Sequence, residues 1–547
     1  LLADTYSTLP RHEFARVSEL LQAQLLQPIN VTPLQPQLGA ANLKILQGTG
    51  PAEPGFSEFN PLFIRNGAHL QAGAVVANNA TWGNNVIISG VRNKLSGSLG
   101  QFHFETNGIR ENNDQRQDIY NAFVQVAVSP KTSFQAELRK TDIERGDLDL
   151  TFAEQVIPTL RQSEETHGGR LGFRYTPQPN STLIGSFHFQ KHEVQTDVFP
   201  GLFELASDGR AYLGELRYLL RTGPVDLTVG AGHLDQNVTT EAILRGPPIR
   251  QSDDADFTNF YLYSYNQITS QLNLTLGADT DFLDGAKEGQ DRDQFNPKVG
   301  LLWAPLPTTT IRAAAFRTLT RPLVSNINLY PTLEPTQVAG FNQFFLGTQA
   351  AQGDRSWHYG IGLDQVFSNN VYAGAEFLAR DQKTEVNVFP EGVPIVTHID
   401  WMERMTRAYL YWTPHRLFAL SAEYQYENFK RDLTGFEGEG SFSALRTHRS
   451  PFRIGFFHPS GLTTTVAMTF IDQSGEFNAD SADTEQDSDN FWVADAAVAY
   501  RLPRRYGLVS LEVKNLLNEK FRFQDTDPGT PRILPERVVL FRLSLSL

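Results

Sequence analysis

Asp483, Glu485, Asp487 and Asp489 set four carboxylates at alternate positions, a spacing that could offer several oxygen ligands to a cation. The run has no spaced Gly turn and no closing bidentate Glu. It is therefore no EF-hand, and a solvated acidic loop is the plainer reading. Residues 319–355 concentrate aromatic side chains, Tyr330, Phe341, Phe344 and Phe345, which could contact a ligand or narrow a pore. Packing of that loop on its neighbours or on lipopolysaccharide is the alternative. The 12 His residues are scattered without metal or haem spacing, and His103, beside Phe102 and Phe104, is expected to face a polar interior. There is no Walker loop, no HExxH and no GxSxG, so the sequence offers no catalytic residues, implies no cofactor and reads as a non-enzyme.

What must position these residues is a repeated strand pattern. In the last eleven residues Val539, Phe541, Leu543, Leu545 and Leu547 alternate with Arg542, Ser544 and Ser546. Such a strand needs one apolar neighbour, one polar neighbour and protection of its edge, which a closed barrel in a membrane supplies together. The pattern recurs at Phe134, Ala136 and Leu138, at Val225, Leu227 and Val229, and at Leu272, Leu274 and Leu276. Roughly 22 strand candidates follow Ala68, most long enough to cross an outer membrane when tilted.

Short Pro- and Gly-containing turns (Ser129-Pro130-Lys131, Thr222-Gly223-Pro224, Pro305-Leu306-Pro307) alternate with long polar segments such as 237–256, 319–355 and 473–490. That asymmetry predicts tight periplasmic turns, long outer loops and, for an even strand number, two periplasmic termini. Tyr175, Trp303 and Trp412 precede short turns, while Trp357, Trp401 and Trp492 sit near the other strand ends, as two aromatic girdles would require.

Composition agrees by exclusion. A hydrophobic content of 40% and mean hydropathy of −0.32 leave no run near the ~18 apolar residues of a spanning helix. A net charge of −14 without a basic stripe argues against nucleic acid. Cysteine is absent, which removes disulfides and thiolate metal sites. The chain starts at Leu1 without Met and is read as a mature or trimmed product. Residues 1–65 form a separate N-terminal segment, periplasmic or lumenal, ahead of the barrel at 66–547. Phe14, Val17, Leu20, Leu21 and Leu25 suggest a helix over about 11–27 that Pro28 ends, and a Pro-rich stretch follows.

The C-terminal part resembles the barrel of the TonB-dependent outer-membrane receptors. The resemblance rests on Phe295-Asn296-Pro297-Lys298-Val299-Gly300-Leu301 with Arg321-Pro322, on Leu333-Glu334-Pro335 and the strand after Trp357, and on the closing stretch from Leu511 to Phe521. It implies an all-β, 22-stranded antiparallel transmembrane β-barrel acting in transport. The family's globular plug has no counterpart in residues 1–65. The segment from Phe14 to Leu38 is similar to the junction in a plug-less group whose barrel follows tetratricopeptide repeats. Three functions stay open: a conduit or docking platform gated by a periplasmic partner or repeat domain, conventional TonB-dependent uptake of a metal chelate or similar scarce ligand, and a membrane anchor for a surface or secretion assembly. The partners implied are outer-membrane lipid and lipopolysaccharide, a periplasmic energising or gating protein, and a small-molecule or polymer cargo.

Overall fold

The computed structural model describes residues 21–29, 66–148, 150–152, 156–199, 201–244, 246–285, 291–321, 332–344, 353–388, 395–431, 442–480, 483–525 and 533–547. One antiparallel sheet of 22 strands closes on itself. Its first strand, Gly67–Ala77, pairs with Trp82–Arg92 on one side and with the last strand, Val538–Ser546, on the other. Leu70 and Leu547 seal that seam with reciprocal backbone hydrogen bonds of 2.8 Å. Closure leaves no strand edge to satisfy, which is what a sheet in lipid requires.

Period-two alternation decides which face meets what. Along Gln115–Ser129 the side chains of Gln115, Gln117, Asn121 and Gln125 are buried inside, while Tyr120 and Val124 lie outside at 49% and 41% exposure. Polar inside and apolar outside inverts the order of a soluble protein and fits a wall between lipid and a filled lumen. Among the described residues no helix is long and apolar enough to cross a membrane.

One end of the barrel carries tight turns, such as that between Arg221 and Val225 with Gly223 at φ 98°. At the other end several strands run on past the span of a bilayer. Segments 237–256 and 473–490, expected as loops, are largely paired strand: Asn237 faces Asp254 and Gln473 faces Asp489 across the ladder. Strands Val225–Leu244 and Ile249–Thr269 hold 20 and 21 residues, about twice the 9–11 that a tilted crossing needs. The hydropathy alternation stops where both faces meet water, but the backbone pairing continues, so polarity alone mistook strand for loop.

The membrane boundary can be read on the outer wall. Phe187 and Phe189 are followed on the same face by Lys191 and Glu193, and Phe189 packs on Tyr212 with centroids 5.3 Å apart. Tyr175, Trp303 and Trp412 lie on this wall toward the short-turn end, Trp357 and Trp492 toward the other, all 38–44% exposed. Trp401 departs from expectation: it is 8% exposed and faces the lumen within an aromatic cluster. His103 departs too. Phe102 and Phe104 take the lumenal face, packing with Ile119, Val538 and Leu540. That turns His103 outward, where it bonds Asp118 at 2.7 Å and packs against Trp82 with ring centroids 4.2 Å apart.

Candidate functional site: two segments inside the lumen

Two segments lie inside the barrel and touch each other. The first is residues 21–29, helical over 21–26; residues 11–20, the rest of the expected helix, lie outside the described ones. Leu21 and Leu25 are 6% and 1% exposed and pack with Ile184 of the wall and Leu333 of the second segment. The helix ends inside the lumen, so its last carbonyls need donors other than water. The wall supplies them: Gln135 donates to the Gln24 carbonyl at 2.8 Å and Gln125 to the Gln27 carbonyl at 3.0 Å. Arg170 donates to Gln24 Oε1 at 2.8 Å while pairing with Glu137 at 2.9 Å. A Cβ on Gly172 would sit 2.5 Å from Leu25 Cδ2, so the wall is carved to admit this leucine.

The second segment is residues 332–344. Its two-residue strands Gln337–Val338 and Phe341–Asn342 form a hairpin through Ala339 and Gly340 at φ 49° and 85°, the positive values that a tight two-residue turn demands. Wall glycines make room here as well. A Cβ on Gly300 would meet Val338 Cγ1 at 2.8 Å, and one on Gly360 would meet the Phe341 ring at 2.5 Å. Glu215 holds the start of the segment, accepting from Thr332 Oγ1 and from the Leu333 N–H, both at 2.9 Å. Arg217 donates to the Leu333 carbonyl at 2.9 Å and to Gln22 Oε1 at 2.7 Å. Gln22 in turn donates to the Glu334 carbonyl at 2.7 Å, joining the two segments.

At the centre Glu334 is fully buried. It accepts from Tyr263 at 2.7 Å and Asn259 at 3.1 Å, and it pairs with Arg321. The network continues into the wall through Asp281, Asn296 and Asp279 to Lys298, which pairs with Asp279 at 2.6 Å. Isolated charges would not survive such burial, whereas a connected set fixes one position of the segment among alternatives.

A third element reaches across the barrel at the long-hairpin end. The loop between the fifth and sixth strands, residues 146–160, is fixed at its base by Asp147, which pairs with Arg110 at 3.2 Å and accepts the Ile157 N–H at 3.0 Å. Its tip reaches the opposite wall, where Phe152, 3% exposed, clusters with Trp401, Phe429, Phe442, Leu445 and Phe477. Asp525 donates its N–H to the Leu150 carbonyl at 3.0 Å. Phe152→Ala removes a buried aromatic contact of about 3–5 kcal/mol. It should make loop 146–160 the fastest site of limited proteolysis in the folded barrel; an unchanged cleavage rate would refute the strap.

Of the aromatic set singled out in the sequence, Phe341 lies in the lumen with Arg312 over its ring at 5.2 Å, and Phe344 takes Arg321 over its ring at 5.0 Å. Tyr330 and Phe345 lie outside the described residues. The acidic run is part of strand Asp483–Arg501, so its members share one face, one every second residue. Asp487 pairs with Arg522, and Asp489 accepts the Arg522 N–H at 2.8 Å. The side chain of Asp483 is outside the description, and Glu485 is exposed. Among the described residues no group of three or more His, Asp or Glu is placed to hold a metal ion. Residues that sequence reasoning passed over, Glu215, Arg217, Gln22 and Gln24, carry contacts that hold the two inner segments to the wall and to each other. Their one sequence signal was the small residues Gly172, Gly300 and Gly360 at lumen-facing strand positions.

Residues 112–516 match a family model described as TonB dependent receptor-like, beta-barrel. No curated protein matches the chain by sequence. Among solved structures the chain is similar to the copper transporter OprC, with TM-score 0.68 and 12% identity over 88% of this chain and 81% of that one. It is similar also to the siderophore receptor PiuA from Acinetobacter baumannii, with TM-score 0.65 and 12% identity over 88% and 82% of the two chains. The unliganded ferric citrate transporter FecA gives TM-score 0.65 and 15% identity over 88% and 78%. At such identities the likeness is one of fold.

Proposed function

Because this chain belongs to the family of TonB-dependent receptor-like β-barrels, we propose that it is an outer-membrane uptake conduit whose gate is made of its own residues 21–29 and 332–344. In this reading the short-turn end and both termini face the periplasm, and the strap formed by residues 146–160 lies outside. The observation that carries it is the double attachment of Gln22, to Arg217 of the wall and to the Glu334 carbonyl of the second segment. A pull on the N-terminal segment from the periplasm, by an energising partner, moves the helix and the hairpin together. The cargo is a small metal complex, in keeping with what OprC, PiuA and FecA are named for. The aromatic and cationic faces of Phe341, Phe344, Arg312 and Arg321 would line the path as it opens.

The absence of native cysteine permits a direct test. Cysteines replacing Gln24 and Gln135, whose atoms meet at 2.8 Å, can be joined by a short cleavable bismaleimide. Cells carrying the chain should accumulate radiolabelled copper or ferric citrate above empty-vector cells. Crosslinking should abolish the excess, and cleavage of the linker should restore it. Uptake that persists in the crosslinked barrel overturns the gate. No uptake of any metal probe, with a sealed lumen in every variant, would favour an anchoring role instead.

A further inference from the structure

The barrel rim drops abruptly beside one of its long hairpins. Strand Asp483–Arg501 pairs with Leu462–Asp480 along its whole length on one side. On the other side strand Gly507–Lys514 pairs only with residues 496–501 and stops. The Leu516 N–H then reaches the Ala494 carbonyl at 2.6 Å, the last backbone bond on that side among the described residues. Residues 484–493 run on with no described strand beside them. In an extended strand the N–H and C=O of every second residue point the same way. The parity of Ala494 therefore aims the backbone groups of Gln486, Ser488, Asn490 and Trp492 at the open side, and Ser488 turns its N–H to the Asp487 carboxylate at 2.8 Å. Trp492 marks the membrane boundary on this strand at 43% exposure, and Gln486, Ser488 and Asn490 beyond it are exposed. Strands Ile249–Thr269 and Ile395–His415 also outrun a neighbour, by residues 249–255 and 395–400, over shorter stretches.

An open strand edge is a template for one more strand, and side-chain charge decides which strand it accepts. Glu485, Asp487 and Asp489 share one face of the edge strand, opposite Phe477, Gly475 and Gln473 of its paired neighbour. Arg522 shows what this row takes. It pairs with Asp487 through both terminal nitrogens, at 2.5 and 2.9 Å, and gives its backbone N–H to Asp489 at 2.8 Å. A second copy laid antiparallel along the edge about Asp487 would set carboxylate against carboxylate, and like charges directly across a ladder are unfavourable. The edge refuses its own kind and suits a strand that presents Lys or Arg at alternate positions. The other face, Gln486, Ser488 and Asn490, is polar and exposed, so it calls for a polar residue between the cations.

We propose that the open side of strand Asp483–Arg501 is a docking site for an extended basic segment of a partner protein, added to the sheet as one more strand with its cations beside the carboxylate row. Main-chain bonds to Gln486, Ser488 and Asn490 hold the segment, and Glu485, Asp487 and Asp489 select it. Calling the partner extracellular rests on the orientation proposed above; the edge and its charge do not.

The test is titration of the purified full chain, in an uncharged detergent, with a short peptide of alternating lysine and threonine. It should bind at least tenfold tighter than a glutamate–threonine peptide. It should also bind at least tenfold tighter than the same lysine peptide N-methylated along its backbone, which keeps the charges and loses the donors. Hydrogen exchange of the Gln486, Asn490 and Trp492 amides should slow severalfold on binding. Gln486→Pro removes an edge donor that the paired side does not use, and should weaken the peptide severalfold. Glu485→Lys should do the same, whereas Asp235→Lys, an equal change of charge at an exposed position on strand Val225–Leu244, should change nothing. Should Gln486→Pro fail to fold by heat-modifiable gel mobility, Glu485→Lys must still weaken binding severalfold. Equal binding of the N-methylated peptide, or exchange that does not slow, would mean charge attraction without strand addition and overturns the site. Equal binding of the glutamate peptide overturns the basic partner. Exchange at the same amides that slows with protein concentration alone would make a second copy the occupant and overturn the partner likewise. Failure of the gate leaves these readings untouched, since they follow the rim strand and not the lumen.

Discussion

Glu334→Ala is expected to open the barrel while leaving its wall intact. Glu334 is fully buried, and its carboxylate answers Tyr263, Asn259 and Arg321. Removing one partner of a buried ion pair strands the other, at a cost of about 3–5 kcal/mol. Here Arg321 would lose the carboxylate it pairs with, and Asp281, 4.0 Å away, is already engaged by Asn296. The strands carrying Asn259, Tyr263 and Asp281 are held by ladders that do not involve Glu334, so the loss falls on residues 332–344. In planar bilayers the variant should show a steady conductance that the unaltered chain lacks, with unchanged heat-modifiable mobility. Glu334→Met combined with Arg321→Met should recover much of the closure, since apolar replacement of a buried pair is often tolerated. Conductance identical in the unaltered chain, the single variant and the double variant would mean that the segment does not close the pore.

The wall was legible in the sequence because lipid imposes a one-dimensional rule. Val539, Phe541 and Leu543 could be assigned outward from spacing alone, and register then follows from turns and closure. The lumen obeys no such rule. Its positions are polar whether they touch water, an ion pair or an inserted segment, so Glu215 looks like any other inward Glu although it anchors Leu333, 118 residues away. Trp401 was assigned to a girdle by residue type, yet strand parity puts it inside with Phe152. His103 was assigned inward for its polarity, while the parity of Phe102 and Phe104 sends it out. Parity is the stronger argument in both cases, because shifting one residue to the other face would shift the whole strand. The run from Asp483 to Asp489 suggested a ligand cluster only while it was read as a loop. In a strand, side chains on one face stand about 7 Å apart, too far for several to share one cation, and Arg522 takes two of them.

Leu25→Asp should expel the helix, and its combination with Glu334→Ala tests whether the gate is one body or two. The leucine is 1% exposed and sits over Gly172, between Ile184 and Leu333. An unpaired carboxylate there would be buried at a cost of several kcal/mol, more than a short helix can recover from its carbonyl contacts with Gln125 and Gln135 at about 1 kcal/mol each. With the helix gone Gln22 no longer supports the Glu334 carbonyl, and Arg217 loses one of its two acceptors in the gate. Residues joined in this way do not respond additively. If the two segments act as one gate, either substitution alone should give nearly the full conductance, and the double variant should add little. If they block the lumen separately, each single variant should pass a small current and the double variant a much larger one. Thiol labelling of a cysteine at Asn259, which donates to Glu334 inside the lumen, gives an independent reading. Labelling should be slow in the parent and at least tenfold faster in either single variant of a coupled gate. Slow labelling after Leu25→Asp would show that residues 332–344 hold the lumen shut without the helix, and that the pull transmitted through Gln22 is not what opens it.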